Sequence, residues 1–185
     1  MRVITKSAPN HSIHRWRNKM SVEISQVLSN EDIEDVASLA REIWSQHFTS
    51  IIGESQVEYM LTNFQSSAAI KTQINHGSEY YLVKKEREYV GYLGLNPDFD
   101  QNKMMLSKIY VEYSFREKGV GQSILDFVEK ECVLRGFSSV WLTVNKFNDD
   151  TVAWYNRRGF LVIDKVKKDI GNGFFMDDYL MEKII

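Results

Sequence analysis

A chain of 185 residues with 43% apolar and 12% aromatic side chains can bury a domain-sized core. That composition excludes a disordered protein, and no run nears the ~20 apolar residues that cross a membrane. The formal net charge is −2 and residues 21–185 alone carry −7, because the first 20 hold five basic residues and no acid; an acidic body argues against nucleic acid and suits a cationic partner such as an amine.

In chain order, residues 1–20 come first as a basic leader (Arg2, Lys6, Arg15, Arg17, Lys19) without a secretory apolar stretch. We expect it to be flexible and a single ordered domain to span 21–185, with Met20 itself a candidate start. Val22–Leu28 alternates like a half-buried strand. Ser29 or Asn30 can cap a helix with acidic first turns, on which Ile33, Val36, Ala37, Ala40, Ile43 and Trp44 share one face. Phe48–Gly53 reads as a break, and Gln56–Phe64 and Ala68–Ile74 as two short helices. Tyr80–Val83 and Tyr89–Leu95 read as a hairpin joined through charged Lys84–Glu88, and Asn96-Pro97-Asp98 as a turn. Met104–Val111 is a strand and Gly119–Arg135 a helix with Ile124, Leu125, Val128 and Cys132 on its buried stripe. Val140–Val144 is a short central strand, Asn148–Arg158 a helix, and Phe160–Val166 and Phe174–Lys183 an antiparallel pair of strands. Strand, helix and strand from Met104 to Val144 make a right-handed crossover, so those two strands are parallel while the flanking hairpins are antiparallel. The expected architecture is an α/β (α+β) domain: a mixed, mostly antiparallel sheet with a central parallel pair and helices on both faces.

Val111–Ser123 carries the most information. An apolar strand runs into Arg116-Glu-Lys-Gly119-Val-Gly121, which opens directly into a helix. Glycines let backbone approach an anion closely, and a helix start offers unpaired N–H groups and a positive dipole end, so the loop suits phosphate. It lies at the carboxyl end of a parallel strand, where ligands of such sheets sit. Further on come Asn148-Asp-Asp-Thr-Val-Ala-Trp-Tyr155 and Gly159-Phe160.

These two signatures, in this order, resemble those of the GNAT superfamily of acyl-CoA N-acyltransferases over about residues 22–185. The resemblance implies acetyl transfer from acetyl-CoA to an amine. It implies that backbone N–H groups of Arg116, Glu117, Lys118, Gly119, Val120, Gly121 and Gln122 hold the pyrophosphate, with the Ser123 hydroxyl beside them. Ile109, Tyr110 and Val111 would offer backbone groups to the pantetheine arm and polarise the thioester carbonyl, and Asn148 would contact the arm while capping its helix. Tyr155 would be the general acid for departing CoA, a phenol of pKa ~10 meeting a thiolate of pKa ~8.5. The C-terminal half is similar to bacterial polyamine acetyltransferases, including Phe174-Phe-Met-Asp177, which makes a small polyamine the preferred acceptor. A protein N-terminus, a lysine, an amino metabolite or drug, or a CoA-binding regulator without turnover are the alternatives.

The general base departs from the family pattern. Many members carry a Glu on the strand before the loop, and Met104–Val111 has none. Ser107, Glu112, Asp149, Asp150, Tyr80 and a chain of waters are candidates, so the base stays unassigned. Trp44, Phe48, Tyr59 and Phe64 lie where the family builds its acceptor site and serve as core or as a cation-binding wall, with Glu54, Glu58, Asp98 and Asp100 adding attraction. His11, His14, His47 and His76 lack metal-ligand spacing, so no metal is expected. The lone cysteine, Cys132, sits at a helical core position, which argues against a cysteine nucleophile and for a reducing, cytoplasmic setting. Dimers are common among such domains, so a homodimer is open, but no self-complementary surface is legible.

Overall fold

The computed structural model describes residues 22–185; the expectation of a flexible leader concerns residues outside that range. Seven strands form one sheet in the order β1-β2-β3-β4-β5-β7-β6. They are β1 (Glu23–Gln26), β2 (Glu79–Lys85), β3 (Glu88–Asp98), β4 (Lys103–Val111), β5 (Ser139–Asn145), β6 (Leu161–Gly171) and β7 (Phe174–Ile184). Only β4 and β5 pair in parallel; every other neighbour is antiparallel. The helices are α1 (Asn30–His47), the single turn α2 (Thr49–Ile52), α3 (Glu54–Phe64), α4 (Ser67–Asn75), α5 (Val120–Arg135) and α6 (Asp149–Arg157).

Each face of the sheet is covered. Ile124, Leu125, Val128 and Cys132 of α5 pack with Tyr155 and Phe160 on one side, against Leu93, Leu106, Val140 and Met181 of the strands. Val36, Ala40, Ile43 and Trp44 of α1 pack on the other with Val57 and Leu61 of α3, Ile70 of α4, and Tyr80, Leu82 and Tyr92. α1 starts where the sequence says it should: Ser29 accepts from Asp32 N–H at 3.1 Å while the Asp32 carboxylate accepts from Ser29 N–H at 2.9 Å, a closed capping box.

Three local expectations change. Asn96–Asp98 is not a turn: β3 runs on through it, opposite Met105, Met104 and Lys103. Pro97 is tolerated there because β2 stops at Glu79, opposite Leu95, so nothing on that side asks for its missing N–H. Lys84–Glu88 contracts to a two-residue turn at Glu86 and Arg87, both with positive φ (56° and 73°), the twist that matches a hairpin. The break after Phe48 contains the helical turn α2.

The sheet is also built to open in its middle. β4 pairs with β5 only at Lys103–Met105, opposite Ser139–Trp141. Beyond that, Leu106–Val111 and Leu142–Asn145 have no ladder to each other. Ser107 contributes to the divergence: it and Lys108 together oppose Gly94 of β3, a bulge that bends β4 and reverses which face its later side chains take. Met104 and Leu106 therefore pack on the α5 side, and after the bulge Ile109 and Val111 return to that side while Tyr110 packs on the α1 side.

Candidate active site

The gap between β4 and β5 is the floor of a cleft of about 980 Å³. Ile109, Tyr110, Val111, Arg116, Glu117, Gly119, Gly121, Gln122, Asn148 and Tyr155 all line it. Three other residues expected at the site, Lys118, Val120 and Ser123, stand off its wall. Val120 is 1% exposed in the core beneath the loop. Ser123 donates its hydroxyl to Gly119 O at 3.2 Å, and the Lys118 ammonium lies over the Phe115 ring.

Loop geometry explains the glycine spacing. Gly119 has φ 81°, a left-handed conformation, and forms the N-cap of α5 with no side chain over the helix start. Ser123 N–H is the first to close on Gly119 O, so the N–H groups before it lack helical partners and suit an anion. Gly121 lines the cleft and also serves the packing of α5 on α6. A Cβ there would meet Trp154 Cζ2 of α6 at 3.1 Å, so this glycine lets two helices close on each other. Arg116 does not point freely into the cleft. Its Nε donates to Val111 O at 3.0 Å and its Nη1 to His47 Nδ1 at 3.0 Å, which fixes the end of β4 to the last turn of α1.

His47 is a site residue that sequence reasoning missed. An arginine has only protons to give, so Nδ1 accepts and the ring proton sits on Nε2, where the Asn148 amide, 3.3 Å away, takes it by turning its oxygen toward the ring. Burial first, and then the Arg116 charge, hold its pKa below the ordinary value. This also corrects the expected cap: the Asn148 carbonyl accepts from Val152 N–H, but its side chain makes no cap bond and turns to His47.

Tyr155 is 4% exposed, wedged between Trp154 and Phe160 at centroid distances of 5.0 and 5.3 Å, with its free end at the cleft. Burial drives its pKa well above the ordinary phenol value. It therefore keeps its proton while its side chain lines the cleft. Cys132 is buried at the core of α5 with its thiol pushed up to about 11, which leaves it no nucleophile.

Beyond Tyr110 the cleft widens into a chamber under α1 and α3. Trp44, Phe48 and Tyr110 form an aromatic wall, with centroids 4.4 to 6.0 Å apart. Tyr59 and Phe64 lie off the cleft, Tyr59 donating to Ile170 O at 2.6 Å. Glu54, Glu58, Asp98 and Asp100 stay off its wall as well: Glu58 pairs with Arg41 on the surface, and Asp98 and Asp100 flank a separate hollow beside Trp141. Two charged groups do line the chamber. Lys108 donates to Gln73 Oε1 at 2.8 Å, and burial pushes its pKa down to about 8. Asp178 of β7, 6% exposed, was not singled out in the sequence, where Asp177 beside it stood out instead; Asp177 turns to the other face and pairs with Lys146. The legible signal was strand alternation, which puts an acid in line with Met176 and Leu180.

Among the proposed bases, Tyr80 donates to Gln73 and Ser107 to Gly94 O. Glu112 accepts from Ser114, which holds its carboxyl below the usual range. Asp149 and Asp150 are exposed at the start of α6. Among the described residues no cluster of His, Cys, Asp or Glu could hold a metal, and no helix is long and apolar enough to cross a membrane.

Comparison with known proteins fits this geometry. Residues 36–160 match the acetyltransferase (GNAT) family model. The chain is 26% identical over 163 residues to a spermidine N(1)-acetyltransferase of Thermoplasma acidophilum, covering 85% of this chain and 97% of the relative. It is 27% identical over 145 residues to an uncharacterized N-acetyltransferase from the pepI 3′ region of Lactobacillus delbrueckii subsp. lactis, covering 75% and 83%. Its fold matches the crystal structure of the PaiA N-acetyltransferase of Thermoplasma acidophilum in complex with coenzyme A, with a TM-score of 0.72, 25% identity, and coverage of 90% and 100%. With the opened parallel pair, the glycine loop and Tyr155 at one cleft, the chain belongs to the GNAT family of acetyltransferases.

Proposed function

We propose that this acetyl-CoA-dependent N-acetyltransferase acts on a small polyamine. The observation that carries the reading is the cleft itself: an unpaired β4 edge, a helix start with free N–H groups and a buried tyrosine converge on one space. The CoA arm lies along Ile109–Val111 as an added strand, and its pyrophosphate meets the N–H groups at the start of α5. Backbone N–H groups of β4 polarise the thioester carbonyl, and Tyr155 meets the departing sulfur as a hydrogen donor. The acceptor enters over Trp44, Phe48 and Tyr110, whose ring faces attract an ammonium, with Asp178 adding a buried negative charge. Likeness to a spermidine acetyltransferase supports the same acceptor class. The lone cysteine supports a cytoplasmic setting.

Lys108 favours a second reading. A cation on the chamber wall repels a second ammonium nearby, which suits an amino metabolite with one amine. Release of CoA thiol across a panel of spermidine, spermine, putrescine, lysine peptides, N-terminal peptides, aminoglycosides and metabolites with a single amine tests both. Selective turnover of polyamines supports the first reading, and turnover restricted to monoamines replaces it with the second.

A further inference from the structure

Transfer to an amine needs a proton acceptor, and β4 (Lys103-Met-Met-Leu-Ser-Lys-Ile-Tyr-Val111) holds no acid. Three carboxylates line the cleft: Glu117, Asp150 and Asp178. Glu117 and Asp150 are exposed, in the glycine loop and the first turn of α6. Asp178 alone is buried. β7 sets it opposite Asn145 of β5, at the end where β5 has left β4. Its alternation with Met176 directs it to the α1 side, the side of Tyr110 and the aromatic wall. Tyr110, Tyr155 and Asp178 all line this one cleft, and burial, with the Asp178 charge adding to it, raises the Tyr110 phenol.

We infer that Asp178 is the proton acceptor of the transfer, taking a proton from the acceptor amine inside the cleft; this rests on the acetyltransferase reading above. The carboxylate takes one proton from the ammonium. The freed amine attacks the thioester carbon, a C–N bond forms, and the C–S bond breaks as the tetrahedral intermediate collapses. Tyr155 gives its proton to sulfur and regains one from the nitrogen of the intermediate. Asp178 then releases its proton to solvent through the cleft, so amide, thiol and one free proton leave.

Burial pushes the Asp178 carboxyl up to about 6, the Thr143 hydroxyl opposing and the Asp177 charge adding. The charged and titratable groups around it are Asp177 with its partner Lys146, Tyr110 from β4, and Lys108 further along the cleft. Lys108 is the poorer base: its ammonium is tied to Gln73 and stacked on Tyr80, toward β2.

The test compares wild type, Asp178→Asn and Asp178→Glu with two acceptors at saturating acetyl-CoA: spermidine, and an alkoxyamine that is already neutral at pH 7. We expect Asp178→Asn to lose about 10²–10⁴-fold in kcat with spermidine, but less than about 10-fold with the alkoxyamine. Acetyl-CoA affinity should hold, Glu should restore part of the loss, and the acid limb near pH 6 should vanish in the Asn variant. Because a charged Asp178 is strained above pH 6, the Asn variant should melt no lower than wild type at pH 8. Spermidine turnover near that of wild type, an equal loss with both amines, or an unmoved acid limb would each overturn the assignment. A wild type that binds acetyl-CoA yet acetylates neither amine would instead sink the polyamine reading, and the base assignment made for that acceptor with it.

Discussion

Gly91→Ala should loosen the edge along which the CoA arm is proposed to lie. Gly91 of β3 faces Val111 of β4, and a Cβ added there falls 2.3 Å from the Tyr110 carbonyl oxygen. Tyr110 C and Val111 Cα follow at 3.3 Å, so the obstacle is backbone that cannot rotate aside. A carbon and an oxygen come no closer than about 3.3 Å in a sheet, so the strands must part by about 1 Å. Overpacking of this kind costs ~1–3 kcal/mol, and at this chain length each kcal/mol lowers Tm by ~2–4 °C, so the expected fall is about 2–12 °C. Gly94→Ala is the control. Its Cβ meets Ser107 Oγ at 3.0 Å, a hydroxyl that can turn away at the loss of its bond to Gly94 O, and its fall should be smaller than that of Gly91→Ala. Scanning calorimetry of the three proteins measures this, and acetyl-CoA titration of the same samples should show weaker binding for Gly91→Ala alone. A Gly91→Ala protein melting within about 1 °C of wild type would refute the β3–β4 register on which the cleft is built.

Tyr155→Phe keeps the ring between Trp154 and Phe160, so stability should change by less than ~1 kcal/mol while kcat falls about 10²–10⁴-fold at unchanged acetyl-CoA affinity. Unchanged turnover would remove Tyr155 from the reaction. Gly121→Trp drives a side chain into Trp154 and across the start of α5, and acetyl-CoA should no longer raise the melting temperature. His47 gives a pH signature. Its folded pKa lies below the unfolded value of about 6.5, so the unfolded chain takes up a proton first as pH drops. The stability it contributes is full above pH 6.5 and declines below it, and urea midpoints should show a shallower acid slope for His47→Gln. Identical slopes would deny the buried contact with Arg116.

Where the sequence spoke clearly, one local pattern had one physical solution. The apolar runs of β2 and β3 on either side of a charged turn, the stripe Ile124–Leu125–Val128–Cys132 and a helix cap at Ser29 or Asn30 decide themselves within a few residues. The crossover from Met104 to Val144 likewise required a parallel pair. What stayed hidden depends on partners far apart in the chain. The opening between β4 and β5 is accompanied by a bulge at Ser107 that no composition signals. His47 meets Asn148 across 101 positions, which overrides the ordinary capping role of that asparagine. Pro97 and the acid at 178 could be placed only once the ends of β2 and the register of β7 were known. Gly121 was legible as a glycine that matters, but its neighbour is an indole from another helix.

Direct transfer is tested most simply by mass. Acetyl-CoA labelled in its acetyl group is incubated with the protein and spermidine, and both the amine and the intact protein are weighed by mass spectrometry. The account predicts spermidine one labelled acetyl heavier, with the protein unmodified, because the single thiol, Cys132, is buried and protonated. Unlabelled spermidine, or a labelled acetyl group held on the protein, would contradict it.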